Sequence, residues 1–139
     1  AVAFDPAGLP RYRLSAMRMT HFMDDDSTAL EAPHFTREEQ GKARVVVRSL
    51  RGQVSPDGDN VYFEGDVRMM QERAAGEPPL EVETEYLHVQ PENEIIQTDR
   101  AVRLKEGVSQ MSGAGMTADG KSRTLDVSGR VKGVYEKHR

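Results

Sequence analysis

The sequence predicts an essentially all-β domain in which antiparallel strands form a folded-over sheet. Apolar and polar residues alternate along most of the chain, and clusters of Gly, Pro, Asp and Asn interrupt this alternation at short intervals. Three segments also repeat a similar pattern. No stretch of a dozen residues has the spacing of an amphipathic helix, although residues 36–42 are compatible with one helical turn.

The predicted strands follow from the alternating positions, taken in chain order. The residues that share one face are Tyr12, Leu14, Ala16; Val61, Phe63, Gly65, Val67, Met69; Leu80, Val82, Thr84; Val102, Leu104; and Leu125, Val127, Gly129, Val131, Gly133, Tyr135. The turn clusters between them are residues 24–27, 55–60, 75–79, 91–93 and 119–121. Such frequent turns predict short antiparallel strands within a single domain, residues 1–139.

Three segments, residues 55–67, 90–102 and 118–131, can be superposed on one another. Each contains a turn, two apolar positions two residues apart, a small or polar break, and then a valine. The break is Gly65 in the first segment and Gly129 in the third. A glycine between inward-facing residues predicts a bend or bulge where the strand turns a corner. The pattern is typical of a sandwich, a jelly roll or a partly open barrel.

Composition excludes several classes of function. The 139 residues are 37% apolar and contain no cysteine, so a disulfide framework, a thiolate zinc site and a cysteine nucleophile are all impossible. The net charge is -4, whereas nucleic-acid binders usually carry a basic surplus, so we expect no nucleic-acid partner. The longest aliphatic run is residues 45–47, far too short to span a bilayer. Because the chain starts at Ala1 rather than Met, we expect an N-terminal targeting or anchoring segment to have been removed.

No motif indicates catalysis, a metal or a cofactor. Residues 113–118 match the dinucleotide fingerprint G-x-G-x-x-A, but a turn and another alternating strand follow where the fingerprint requires a helix. His21 lies near the acidic residues 24–26, and residues 57–60 resemble the start of a calcium loop without its closing glutamate. Residues 24–26 are interpreted as a solvated acidic turn and residues 57–60 as an ordinary turn. We therefore predict a protein that is not an enzyme and has no cofactor.

Methionine is unusually frequent for a β protein without tryptophan. Seven are present: Met17, Met19, Met23, Met69, Met70, Met111 and Met116. Flexible thioethers suit a surface that accepts variable apolar ligands, but they also fill ordinary cores. Composition favours the core interpretation, and the ligand surface stays open as the alternative.

The order of several weak motifs resembles the periplasmic domains of the LptC family of lipopolysaccharide-export proteins, which have the OstA-like β-jellyroll fold. The segments that carry the resemblance are residues 12–16, 19–22, 27–33, 65–67, 80–91, 98–99, 102–107, 113–116 and 131–136. Together they cover most of the chain from residue 11 to residue 136. The resemblance implies a twisted, V-shaped open jellyroll in the periplasm, held to the inner membrane by an N-terminal helix that this chain lacks.

The same resemblance implies that lipopolysaccharide acyl chains lie in an apolar lumen. Alignment with the family places Leu30, Leu125 and Tyr135 in this lumen. The alternation of inward and outward side chains along each strand adds the other predicted lumen residues: Tyr12, Leu14, Phe63, Val67, Val82, Leu104 and Val127. The phosphates would stay at the rim, near outward Arg or Lys side chains.

Open strand edges are implied to be the partner surfaces. The C-terminal strand, residues 128–137, would pair with the bridge protein LptA by β-augmentation, and the N-terminal edge near Tyr12 would face the LptB/LptF/LptG transporter. The predicted partner-edge residues are Gly107, Gly113, Val131 and Val134. An isolated domain could also dimerise through these edges. The alternatives are the bridge protein itself and a carbohydrate-binding jelly roll, which would need exposed aromatic platforms.

Overall fold

The computed structural model describes residues 2–4, 10–38, 43–73 and 75–134. These residues form fifteen strands and no helix, and every strand pair is antiparallel. The predicted all-β jellyroll is therefore confirmed. Of the segment considered for a helical turn, residues 36 and 37 belong to the strand His34–Arg37 instead, and residues 39–42 lie outside the described residues.

Short turns fold the chain back and forth so that the strands form two layers. The first layer, in spatial order, contains β1 (Val2–Phe4), β2 (Pro10–Ser15), β5 (His34–Arg37), β6 (Val45–Arg48), the second half of β8 (Val61–Gln71), the first half of β9 (Leu80–Gln90), β11 (Val102–Glu106), β12 (Ser109–Gly113) and β15 (Lys132–Val134). The second layer contains β3 (Arg18–His21), β4 (Thr28–Glu31), β7 (Arg51–Val54), the remaining halves of β8 and β9, β10 (Ile95–Thr98), β13 (Gly115–Asp119) and β14 (Thr124–Ser128). The long strands β8 and β9 therefore belong to both layers and join them.

A glycine corner lets β8 cross from one layer to the other. Gly65 has a φ of 81° and Asp66 a φ of 45°, and the pairing with β9 shifts between Glu64 and Val67. Since the left-handed region suits glycine, Gly65 bends the strand at little conformational cost. The sequence-based prediction of a corner at Gly65 is thus confirmed.

The hydrophobic core lies between the two layers on both sides of this corner. Inward-facing side chains of β5, β6, β8, β9 and β11 interdigitate there, as expected for two sheets packed face to face. Phe63, Val47 and Leu87 have no exposed surface. The Phe35 ring packs edge-on against Phe63 at 6.2 Å and thereby ties β5 to β8 across the layers.

Two predictions about the ends of the sheet are wrong. Residues 128–137 do not form one strand, because Gly129 and Arg130 both have positive φ values and separate β14 from β15. The N-terminal edge is not the segment around Tyr12 either. Strand β2 is paired with β1 on one side and β5 on the other, so β1 is the outermost of the described strands in that layer.

Candidate functional site

The two layers separate at the strand ends that lie farthest from the corners, and a cleft opens between them. This mouth cleft has a volume of about 820 Å³, within the usual range of roughly 300–1,000 Å³ for ligand sites. The first layer contributes the end of β5, the start of β6, the end of β8 and the start of β9. The second contributes β10 and the β13–β14 hairpin.

The lining of the mouth cleft is amphipathic. Its apolar side chains are Ala43, Val45, Met69, Leu80, Ile96, Ala118 and Leu125. Four cations and two carboxylates belong to the same lining: Arg37, Arg73, Lys121, Arg123, Glu94 and Asp119. In a chain whose net charge is -4, this local surplus of positive charge favours a ligand that combines an apolar part with an anionic part.

One ion pair connects the two layers at the cleft. The Arg37 guanidinium, on β5, lies 3.5 Å from a carboxylate oxygen of Glu94, in the turn between β9 and β10. Both side chains are largely buried, with 14% and 9% of their surface exposed. The Gly120 amide donates to the Glu94 carbonyl at 2.8 Å, so the β13–β14 turn is held beside the pair. The pair therefore limits how far the layers can separate at this end.

Most of the predicted lumen residues lie in the closed core rather than in the cleft. The buried ones are Leu14, Leu30, Phe63, Val67, Val82 and Leu104. Tyr12 and Val127 are partly buried against the same core. Leu125 lines the mouth cleft and is 40% exposed. Tyr135 lies outside the described residues.

The alternation of apolar and polar residues in the sequence did not identify most residues of the cleft. Ile96 and Ala118 are directly opposite one another on β10 and β13, and Ala118 is in turn opposite Leu125 on β14. They form one inward row on the second layer. The internal sequence repeat could have identified these residues, because its segments 90–102 and 118–131 contain Ile96, Ala118 and Leu125.

The predicted partner-edge residues occupy different environments. Val134 on β15 is 62% exposed, and Val131, just before β15, is also exposed. Gly107 lies in the turn between β11 and β12 with a φ of 62°. Gly113 is enclosed: it pairs with Val102 on β11, and a Cβ built on it would lie 2.6 Å from a Val127 methyl group.

The N-terminal edge of the second layer is also apolar and exposed. Strand β3 pairs only with β4 among the described strands. Met17, Met19, Phe22 and Met23 are exposed on or beside it, whereas Met69 and Met116 are buried in the core. These five methionines therefore divide between core filling and an exposed edge, and Met69 contributes to the cleft as well.

An aromatic row covers part of the outer face of the second layer. The Tyr62 ring stacks on His88 at 4.7 Å and, at 6.4 Å, on Tyr86, which the Arg100 guanidinium also contacts. His88 Nε2 lies 2.7 Å from the Asn60 side-chain oxygen, and its Nδ1 accepts from the Gln97 amide. Partial burial lowers the His88 pKa below 6.5. The ring faces are turned toward one another, so the row presents no flat platform.

The motifs considered for metal binding form local turns. His21 lies 3.4 Å from Asp26, and the Asp25 carboxylate accepts from the amide and hydroxyl of Ser27. These two hydrogen bonds lower the pKa of Asp25. Within the described residues, no three His, Asp or Glu side chains are grouped as metal ligands. The same part of the chain has no helix long and apolar enough to cross a membrane.

Comparisons with known proteins identify the family of this chain and solved structures with a similar fold. The structure is similar to the crystal structure of LptH from Pseudomonas aeruginosa, described as the LptA-homologous periplasmic component of the lipopolysaccharide transport device. The TM-score is 0.72 at 9% identity, over 91% of this chain and 95% of that one, which establishes a shared fold. No curated protein sequence matches. Residues 1–136 match the family described as lipopolysaccharide-assembly, LptC-related, and the chain belongs to that family.

Proposed function

We propose that this domain binds the acyl chains of lipopolysaccharide in the mouth cleft and passes them from an inner-membrane transporter to a periplasmic bridge protein. Membership of the LptC-related family supports a role in lipopolysaccharide transport. The observation that carries the binding step is the amphipathic cleft of about 820 Å³ between the two layers. In this proposal the domain is periplasmic and belongs to a protein held at the inner membrane.

The cleft lining suits reversible lipid binding. Burial of an acyl chain against Ile96, Ala118 and Leu125 would gain roughly 0.8 kcal/mol per methylene without directional hydrogen bonds. Affinity would therefore grow by up to about fourfold for each added methylene. A carrier of this kind releases its ligand when the next protein offers a similar apolar surface.

The open edges support transfer between proteins. Strands β14 and β15 are the C-terminal edges of the two layers, and each is paired on one side only among the described strands. We assign the bridge protein LptA to this end and the LptB/LptF/LptG transporter to β1 and β3 at the other. Exposed edges with apolar side chains such as Val134 and Met19 favour pairing with another strand over solvation.

The bridge protein is the second candidate, because LptH has the same fold at a TM-score of 0.72. The sequence upstream of Ala1 distinguishes the two: an uncleaved membrane-spanning segment supports the LptC role, and a cleavable signal peptide supports the bridge. The carbohydrate alternative receives no support from the aromatic row, since Tyr62 stacks on the other two rings and all three side chains are half-buried.

Lipopolysaccharide binding by cleft variants tests the proposed function. We expect Ile96→Asp and Leu125→Asp to weaken binding at least tenfold, because each places a carboxylate against the acyl chain. Thr117→Asp is the matched control: Thr117 is exposed on the opposite face of β13. Equal binding by all three folded variants would exclude the mouth cleft as the lipid site.

A second experiment tests the transfer edge. Val134→Asp places a charge on β15 and should weaken association with LptA about tenfold, whereas Val108→Asp in the β11–β12 turn should not. The two valines are similarly exposed, at 62% and 57%. If Val108→Asp weakens association as much as Val134→Asp, β15 is not the contact edge.

A further inference from the structure

The turn between β13 and β14, residues 120–123, carries two cations at the rim of the mouth cleft. Lys121 and Arg123 both line the cleft and are exposed. The other two cations of the rim are already engaged, because Arg37 pairs with Glu94 and Arg73 lies 3.4 Å from Glu106. Lys121 and Arg123 have no ion pair with any of the described residues. No described carboxylate therefore neutralises either charge.

The local backbone supports a functional role for this pair. The Asp119 carboxylate accepts hydrogen bonds from the Lys121 amide at 2.9 Å and the Ser122 amide at 3.3 Å. Its negative charge is thus used to shape the turn. Arg123 has a φ of 56°, a conformation that glycine or asparagine adopts at lower cost. The Asp119 hydrogen bonds and this backbone conformation together fix where Lys121 and Arg123 leave the turn.

The position of the turn defines the chemistry of its ligand. Leu125 follows Arg123 by two residues and faces the apolar lining, with Ala118 directly opposite. A ligand whose chain lies on these side chains would have its head group beside Lys121 and Arg123. The Ser122 and Thr124 hydroxyls are hydrogen-bonded to each other at 2.9 Å, so one of them donates to the other and the ligand is left mainly to the two cations. Two neighbouring cations suit an anionic phosphate group.

We infer that Lys121 and Arg123 form a head-group subsite that binds the phosphate of an amphiphile whose acyl chain occupies the mouth cleft. The inference rests on the proposed function and names the residues that bind the anionic group of the ligand. The subsite makes the cleft selective for anionic over neutral amphiphiles of the same chain length. It also fixes the direction in which the chain enters, with the phosphate at the β13–β14 turn.

The test compares dodecyl phosphate with monolauroyl glycerol, two amphiphiles of equal chain length, by displacement of an apolar fluorophore from the cleft. We expect wild-type protein to bind the phosphate about tenfold more tightly. The Lys121→Gln/Arg123→Gln variant should lose this preference and bind monolauroyl glycerol as wild type does. The Arg48→Gln/Lys105→Gln variant is matched in charge but changes strands β6 and β11 outside the cleft, and it should retain the preference.

Each other outcome has a distinct meaning. If neither amphiphile binds wild-type protein, the proposed function fails. If both bind equally, or if the Lys121→Gln/Arg123→Gln variant retains the preference, the subsite is overturned and the cleft remains. Inorganic phosphate is the third probe: if it binds as tightly as dodecyl phosphate, the site takes the free anion and the assignment to a lipid head group is overturned.

Discussion

The centre of the two-layer sheet and its mouth are built from the same alternating pattern but differ in what covers the inward face. Phe63 and Leu87, at the centre, have no exposed surface because the opposite layer packs on them. Leu125 at the mouth also faces inward, yet 40% of its surface is exposed. Alternation along a strand therefore determines which face is apolar, and the separation of the layers determines whether that face is core or binding surface.

The largest expected effect comes from truncating the same kind of side chain in the two regions. Leu87→Ala should lower the free energy of unfolding by about 2–5 kcal/mol, because it leaves a cavity in a packed core. Leu125→Ala should cost less than about 1 kcal/mol, since much of its side chain is already hydrated. Equilibrium denaturation by urea measures both, and equal losses would contradict the distinction between core and cleft.

A glycine substitution shows how firmly the mouth region is attached to the core. A Cβ at Gly113 would lie 2.6 Å from a Val127 methyl group and 2.9 Å from the Ser128 carbonyl oxygen. Gly113→Ala should therefore cost about 1–3 kcal/mol by pushing β14 away from β12. The Val127→Ala background is the control, because it removes the methyl group that the added Cβ would meet. If Gly113→Ala is as destabilising in that background as in the wild-type protein, β14 is not held at this contact.

The cross-layer ion pair should have a moderate effect. A double-mutant cycle of Arg37→Ala and Glu94→Ala is expected to give a coupling energy of about 1 kcal/mol, since the partners are 3.5 Å apart and largely buried. The Arg51–Glu64 pair, at 3.6 Å on the exposed surface, is the matched cycle and should couple more weakly. A coupling energy no larger for the Arg37–Glu94 pair would show that it does not hold the layers together.

The smallest expected effect lies on the outer face, remote from both regions. Burial lowers the folded-state pKa of His88 below 6.5, so the unfolded chain binds more protons as the pH falls. The stability that neutral His88 contributes is complete above pH 6.5 and is lost as the pH falls through its folded pKa. His88→Gln should flatten this part of the stability profile, measured by urea denaturation from neutral to acidic pH. An unchanged profile would exclude His88 as its origin.

Much of the fold was predictable from the sequence. Alternation and turn clusters are local signals, so the strands around Phe63, Val82 and Leu104 and the corner at Gly65 were identified. The reversal at Gly129 was recognised as a break, but the strand was continued through it. Positive φ at both Gly129 and Arg130 turns the chain too sharply for that, and a positive φ at arginine has no sequence signature.

The cleft was less predictable because its parts are distant in the sequence. Arg37 and Glu94 are 57 residues apart and meet only when β5 and the β9–β10 turn come together. Leu14 and Leu125 both occupy inward positions of an alternating pattern, yet only Leu125 lies where the layers separate. The turn at Lys121 was recognised from its composition, but nothing local shows that it borders a cleft.

Photo-crosslinking on the second layer tests the central claim most directly. Ala118 and Leu125 face each other inside the mouth cleft, whereas Thr117 and Asp126, one residue away on the same strands, face each other outside it. A photoreactive amino acid at position 118 or 125 should capture lipopolysaccharide, and the same group at 117 or 126 should not. Equal capture at all four positions would contradict binding in the cleft between the layers.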